Sequence, residues 1–113
     1  MSTTIFEDEL FFMVNVRGRS SGLPMNISIG RDHARHAARI KVQMDHREPF
    51  DIDRLASVSV EDDPPEVKAG WLAPTDLELT RRYIALNRQA ILEHRHERTD
   101  GVELSRALKR LVE

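Results

Sequence analysis

The chain of 113 residues contains no cysteine, which removes disulfides, thiolate nucleophiles and cysteine-based zinc sites together. Aromatic residues make up 5%, with a single Trp and a single Tyr, so there are few platforms on which the bases of a single strand could stack. No run of about 18 apolar residues occurs, and no membrane span is expected. The opening Met1-Ser2-Thr3-Thr4-Ile5-Phe6-Glu7-Asp8-Glu9 is acidic where a secretory signal is basic, which points to the cytoplasm. Lysine is also scarce: of 17 basic residues, 14 are Arg and 3 are Lys. Such a bias suits phosphate or carboxylate recognition by the guanidinium fork, and it is equally what a GC-rich genome produces. The formal net charge of −2 argues against nucleic-acid binding through bulk charge alone.

What is present is globular. Hydrophobic residues make up 40% and charged residues 32%, and residues 1–113 are read as a single domain. The first half reads as strands. Leu10 to Val16 is an apolar, β-compatible run that ends at the turn Arg17-Gly18-Arg19-Ser20-Ser21-Gly22. Met25-Asn26-Ile27-Ser28-Ile29 alternates with period two and is closed by Gly30. Ala37 to Met44 alternates again, with Ala38, Ile40, Val42 and Met44 on an apolar face and Arg39, Lys41 and Gln43 on a wet, basic one. Ser57-Val58-Ser59-Val60 is a shorter candidate that must end before Pro64-Pro65, because proline cannot donate to a ladder.

The last third reads as helices. Thr75 with Glu78 has the form of a capping box, and no Gly or Pro follows until beyond His94. Leu77, Ile84 and Ile91 form one apolar stripe, and Leu79, Tyr83, Leu86 and Ala90 form a second. The combined arc covers about half the circumference, more than the ~100° that one neighbour can bury. A second helix of about a dozen residues is predicted from Asp100 as N-cap with Glu103 three residues on, and Leu104, Ala107, Leu108 and Leu111 fall at helical spacing. The expected fold is α+β: a small antiparallel sheet of three to four strands packed on two C-terminal helices.

Ala69-Gly70-Trp71-Leu72-Ala73-Pro74-Thr75-Asp76-Leu77-Glu78-Leu79, together with Arg82-Tyr83-Ile84-Ala85-Leu86-Asn87-Arg88-Gln89-Ala90-Ile91-Leu92, resembles a family of small bacterial proteins known as a domain of unknown function. Its pattern is G-x-L, polar residues, then aromatic-Ile-x-x-Asn-Arg-x-x-Leu-Leu, followed by an aromatic-Trp pair and a short acidic helix. The likeness extends over about residues 57–108, and Asp100-Gly101-Val102-Glu103-Leu104 is similar to the trailing helix. His94-Arg95-His96 stands where the family has Tyr-Trp. The resemblance implies a small gene alongside, in an arrangement reminiscent of toxin–antitoxin pairs, and it implies no catalytic residue.

Three constellations could carry chemistry. His33, His36 and His46, with Asp32 and Asp45, could ligate a metal and support a metal-dependent enzyme, although solvated histidines in a polar loop give the same pattern. His94 and His96 could chelate only if the helix has ended between them. From Arg17 to Arg47 there are seven Lys or Arg against two Asp, and from Glu48 to Glu66 there are seven acids against one Arg. Arg17, Arg19, Arg35, Arg39 and Lys41 are thus candidate contacts for an acidic partner or a nucleic-acid backbone, unless the acidic stretch folds back and neutralises them. Asn87, in the middle of the apolar arc, must find hydrogen-bond partners and is read as a clamp on neighbouring backbone.

No Ser-His-Asp motif, nucleophile elbow or spaced carboxylate pair occurs, so binding is expected ahead of catalysis, with no cofactor and no resident metal. The leading expectation is a protein–protein interaction module that self-associates or takes a small protein partner. Its expected contacts are Trp71, Leu79, Tyr83 and Leu86, because the wide arc needs a second neighbour. Nucleic-acid association through Arg17–Arg47 is the alternative.

Overall fold

Period-two alternation builds the sheet and the 22-residue amphipathic run builds the helix that covers it. The computed structural model describes residues 14–30, 37–96 and 98–112. Along the chain come β1 (Val14–Val16), the short helix α1 (Gly18–Ser21), β2 (Ile27–Ile29), β3 (Arg39–Gln43), a 3₁₀ turn (Ile52–Arg54), β4 (Leu55–Ser59), β5 (Val67–Ala69), α2 (Pro74–Arg95) and α3 (Gly101–Ala107). The strands form one antiparallel meander in the order β1-β2-β3-β4-β5. Five strands replace the expected three to four. The addition is β5, a three-residue edge strand just after the prolines, too short to show alternation. Of the Leu10–Val16 run, only its last three residues fall among those described, and these are β1.

Register decides what each face carries. Ile27 faces Val42, Val42 faces Ala56, and Ile40 faces Val58, which makes a continuous apolar row on one side of the sheet. These residues join Leu72, Tyr83, Ile84, Ile91 and Leu104 in the buried core. Each fully buried Val or Ile contributes about 1.5–3 kcal/mol of transfer free energy. On the other face Asn15, Ser28, Lys41 and Ser57 lie in one cross-strand row. That face is drier than the alternation suggested: Ser28, Ser57, Ser59 and Gln43 are buried. Their polar groups are paired. The Ser28 hydroxyl donates to Asn15 Oδ1 at 2.8 Å, the Lys41 ammonium donates to Ser57 Oγ at 2.8 Å, and Ser59 Oγ accepts from the Glu66 N–H.

The expected Thr75–Glu78 capping box is absent. α2 begins two residues earlier than a Thr75 cap would place it, at Pro74, and Ala73 is an N-cap with no side-chain bond. Proline's fixed φ and missing N–H suit the first helical position, which leaves Thr75 inside the helix where it cannot cap. The Asp100–Glu103 box at α3 does form, with bonds of 2.8 and 2.9 Å in the two directions. α3 has seven residues where about a dozen were expected. The chain turns extended at Leu108, and the Leu108–Val112 segment runs as a strap. The Leu111 N–H donates to the Ser21 carbonyl at 2.7 Å, and Arg110 Nε donates to the Arg19 carbonyl at 3.2 Å. Ending the helix there costs little, because the backbone bonds it forgoes are remade to Asn87 and to the α1 turn.

The wide arc on α2 therefore finds its second neighbour within the chain. Tyr83 is 1% exposed and shares its surroundings with Val16, Ser105 and Leu108. Burial pushes the Tyr83 phenol up to about 12. In the unfolded chain a tyrosine ionises near 10. Above that pH the unfolded state loses a proton that the native state keeps, so this contribution to stability is complete below 10 and disappears as pH rises towards 12. Tyr83 is the single tyrosine. An alkaline titration followed by tyrosinate absorbance should thus show no ionisation near pH 10, and ionisation should coincide with loss of the circular dichroism signal.

Candidate functional site

Two loops are pinned side by side by buried amides. Asn26 donates through Nδ2 to the Glu48 carbonyl at 2.8 Å and to the Arg47 carbonyl at 3.3 Å, while its Oδ1 accepts from the Gly18 N–H at 3.2 Å. Gln43, fully buried at the end of β3, donates to Asp45 Oδ1 at 2.8 Å and to the Arg47 carbonyl at 3.1 Å; its Oε1 accepts from the Asp51 N–H. Gln43 was expected on the wet face. It is buried because the 44–51 loop closes over it and uses it as a hub. The Gln43 amide, helped by the Arg47 N–H and by Arg54, holds the Asp45 carboxyl below its ordinary range.

Between these loops lies a cleft of about 180 Å³, lined by Arg17, Arg19, Asn26, His46, Arg47 and Glu48 among others. His46 Nε2 lies 2.9 Å from Asp76 Oδ2, which ties this wall of the cleft to the first turn of α2. Asp76 is buried and His46 is more than half exposed. Across Arg19, Leu23 and Pro24, which line both, lies an apolar groove completed by Leu79, Arg110 and Leu111 of the strap. Arg17, Arg19 and Tyr83 also border a third concavity beside β1.

The arginines divide into two groups by what they touch. Arg81 Nε donates to the Pro65 carbonyl at 2.7 Å, and Arg88 Nε donates to that of Val60 at 2.8 Å, so both clasp the chain's own loop. Arg54 Nε meets Asp45 at 2.6 Å. Arg17 and Arg19, like Arg39, Arg82, Arg106 and Arg110, have no carboxylate within ion-pair distance among the described residues, but of these six only Arg17 and Arg19 line the cleft. Of the acidic stretch, Glu48 lines the same cleft but makes no ion pair with either. Asp62 and Glu66 pair with Lys68, and Glu61 accepts from the Ala38 N–H.

The other expected site residues are dispersed. Arg39 and Lys41 are half-buried on the polar face of the sheet and line neither the cleft nor the groove. Arg35, His33 and His36 lie outside the described residues. His46 donates to or accepts from Asp76, and among the described residues no group of three His, Cys, Asp or Glu could hold a metal ion. His94 is buried with Nδ1 3.2 Å from the Thr99 carbonyl while His96 is exposed beyond the helix, so the two do not converge. Of the expected interface set, Tyr83 is a correction, because it belongs to the chain's own core. Trp71 is 63% exposed and Leu86 is 42% exposed. Leu86 stands twelve residues past Pro74, about 18 Å along the helix, so it makes no continuous patch with Trp71. Leu79 is half-buried at the groove.

Asn87 is 3% exposed and clamps the strap: its Oδ1 accepts from the Lys109 N–H at 2.6 Å, and its Nδ2 donates to the Lys109 carbonyl at 3.0 Å. The residues that sequence reasoning missed are Asn26, Gln43, Asp76, Arg110 and Leu111. Asn26, Asp76, Arg110 and Leu111 take their roles from partners distant in the chain, and Gln43 takes its role from the loop that follows it.

Guanidinium groups without partners can take a carboxylate or a phosphate through paired, charge-assisted hydrogen bonds. His46 in this cleft is bonded to Asp76, and among the described residues no hydrogen bond joins it to a hydroxyl nucleophile. No helix among the described residues is long and apolar enough to cross a membrane. No family model, curated protein or solved structure matches the chain.

Proposed function

We propose that the protein is a binding module, working in the cytoplasm, whose cleft between the Arg17 turn and the His46–Glu48 loop receives an acidic segment of a partner protein. One observation carries this reading: Arg17 and Arg19 flank the cleft, and among the described residues no carboxylate, Glu48 of the same lining included, lies within ion-pair distance of either. Burying a carboxylate against them gives bonds that water-exposed arginines do not otherwise make. The cleft's size favours a protein partner over nucleic acid. About 180 Å³ accommodates one acidic group, whereas a nucleic-acid backbone needs a basic track many phosphates long and, for single strands, aromatic platforms. Glu48, which also lines the cleft, opposes any incoming anion and an extended polyanion most.

The test is fluorescence anisotropy with a labelled Glu-rich peptide, run beside single-stranded RNA of matched charge. Replacing Arg17 and Arg19 together by Gln should weaken peptide binding at least about tenfold, the scale of one or two charge-assisted hydrogen bonds. RNA should bind weakly and lose that binding steeply with salt. RNA binding tighter than the peptide, with equal dependence on Arg17 and Arg19, would establish the nucleic-acid reading instead. Light scattering that shows a dimer insensitive to the peptide would make a second copy of the chain the partner.

A further inference from the structure

Resting on that reading, we infer that the partner segment carries an aliphatic side chain close to its carboxylate, and that the apolar groove beyond Arg19 is the pocket for it. The cleft and the groove are two sides of one ridge. Gly18, Arg19, Leu23 and Pro24 line both. On one side the walls are polar and mainly cationic, with Arg17, Arg47, His46 and Asn26 against the single acid Glu48. On the other they are apolar, with Leu79 from α2 and Leu111 from the strap facing Leu23 and Pro24. A ligand with only a carboxylate fills half of this surface and leaves the groove wet. An extended chain that crosses the ridge fills both halves, since a strand advances about 3.3 Å per residue and presents side chains alternately to its two sides.

The contrast between a mainly polar cleft and a mainly apolar groove fixes the order of the two groups across the ridge. The groove holds about 430 Å³, more than twice the cleft, and its lining carries two cations, Arg19 on the ridge and Arg110 on the strap, among Leu23, Pro24, Leu79 and Leu111. Arg110 Nε is already bonded to the Arg19 carbonyl at 3.2 Å. An acidic side chain belongs on the Arg17 side and a Leu, Ile or Val on the Leu111 side. The groove exists because the strap is held there, by the Leu111 N–H on the Ser21 carbonyl and by Lys109 on Asn87. Nothing else in the described chain supplies that far wall. The site therefore recognises a short acidic–aliphatic motif and not acidity as such.

The experiment compares two labelled peptides that differ at one position. One is a Gly-Ser segment with two Glu residues, and the other carries a Leu in place of Gly two or three residues from them. The wild-type protein should bind the Leu peptide about tenfold more tightly, the effect of partly burying one aliphatic side chain. Leu111→Asn should erase that gain and leave the Glu-only peptide unchanged. Leu79→Asn, on the opposite wall, gives the same reading independently should the strap detach in the first variant, and circular dichroism reports the fold of each. Equal binding of the two peptides by wild type overturns the motif and leaves the acidic-segment reading in place. A Leu gain that survives both substitutions also overturns it, since the aliphatic group would then sit elsewhere. Failure of both peptides to bind removes the acidic-segment reading and the motif with it.

Discussion

Asn87→Leu should lower the stability of the fold by about 1–3 kcal/mol, although the substitution adds apolar surface to an apolar arc. The side chain is buried, and it satisfies both backbone groups of Lys109, accepting from the N–H at 2.6 Å and donating to the carbonyl at 3.0 Å; it donates also to the Tyr83 carbonyl at 3.1 Å. Leucine cannot replace any of these bonds. The Lys109 N–H and carbonyl would either stay against the helix unpaired or move into water and take the strap with them. In both cases Leu108 and Leu111 lose packing against the core. Urea unfolding followed by circular dichroism measures the loss. Asn87→Asp, which keeps the acceptor for the Lys109 N–H and loses the donor, should fall between Leu and wild type. A Leu variant as stable as wild type would show that the strap does not depend on the clamp.

Asn87 could be read from sequence because the logic is local: a polar amide amid Tyr83, Ile84, Leu86 and Ala90 on a long helix has to be paired. The same holds for β3, β4 and the body of α2, where period and length agree, and for the Asp100–Glu103 box, where both partners lie within one turn. β5 escaped because three residues carry no period. The start of α2 escaped because two N-terminal signals competed, and proline at the first position outranked a Thr–Glu pair that looked like a cap. The strap escaped for a subtler reason. Leu104, Ala107, Leu108 and Leu111 have helical spacing, but only Leu104 reaches the core from a helix. Leu108 and Leu111 get there from extended backbone because Asn87 and Ser21 offer it hydrogen bonds, and both partners are distant in sequence.

The cleft was the least legible feature. The charge run from Arg17 to Arg47 marked the region, but not which of its arginines would be left without partners. That depends on where Asn26 and Gln43 pin the 44–51 loop and on how Arg81, Arg88 and Arg54 are engaged elsewhere. Gln43 shows the limit of alternation as a guide to exposure. Its position on β3 directs it to the polar face, and only the loop that follows turns that face, at that point, into an interior.

Gly22→Ala should be the most damaging single-methyl change in the molecule. Gly22 ends α1 at φ 84°, where an alanine costs roughly 1–2 kcal/mol from its Cβ alone. There is also no room for that Cβ, since it would collide with the backbone carbonyl of Leu111. The obstacle is main chain, not the flexible tip of a side chain, so relief requires the strap to move and the Leu111–Ser21 hydrogen bond to break. Together the two effects should reach about 3 kcal/mol. A second measurement separates them. In a chain truncated after Leu108 the strap is gone, so adding Gly22→Ala should cost only the backbone contribution, about 1–2 kcal/mol. The two changes should therefore be markedly non-additive, as contacting groups are. Gly22→Ala should also abolish the gain in affinity from the peptide's Leu, because the wall formed by Leu111 would be displaced. Full additivity of the substitution and the truncation, or a Gly22→Ala protein within about 0.5 kcal/mol of wild type, would mean that the strap does not lie against the turn, and the groove would lose its far wall.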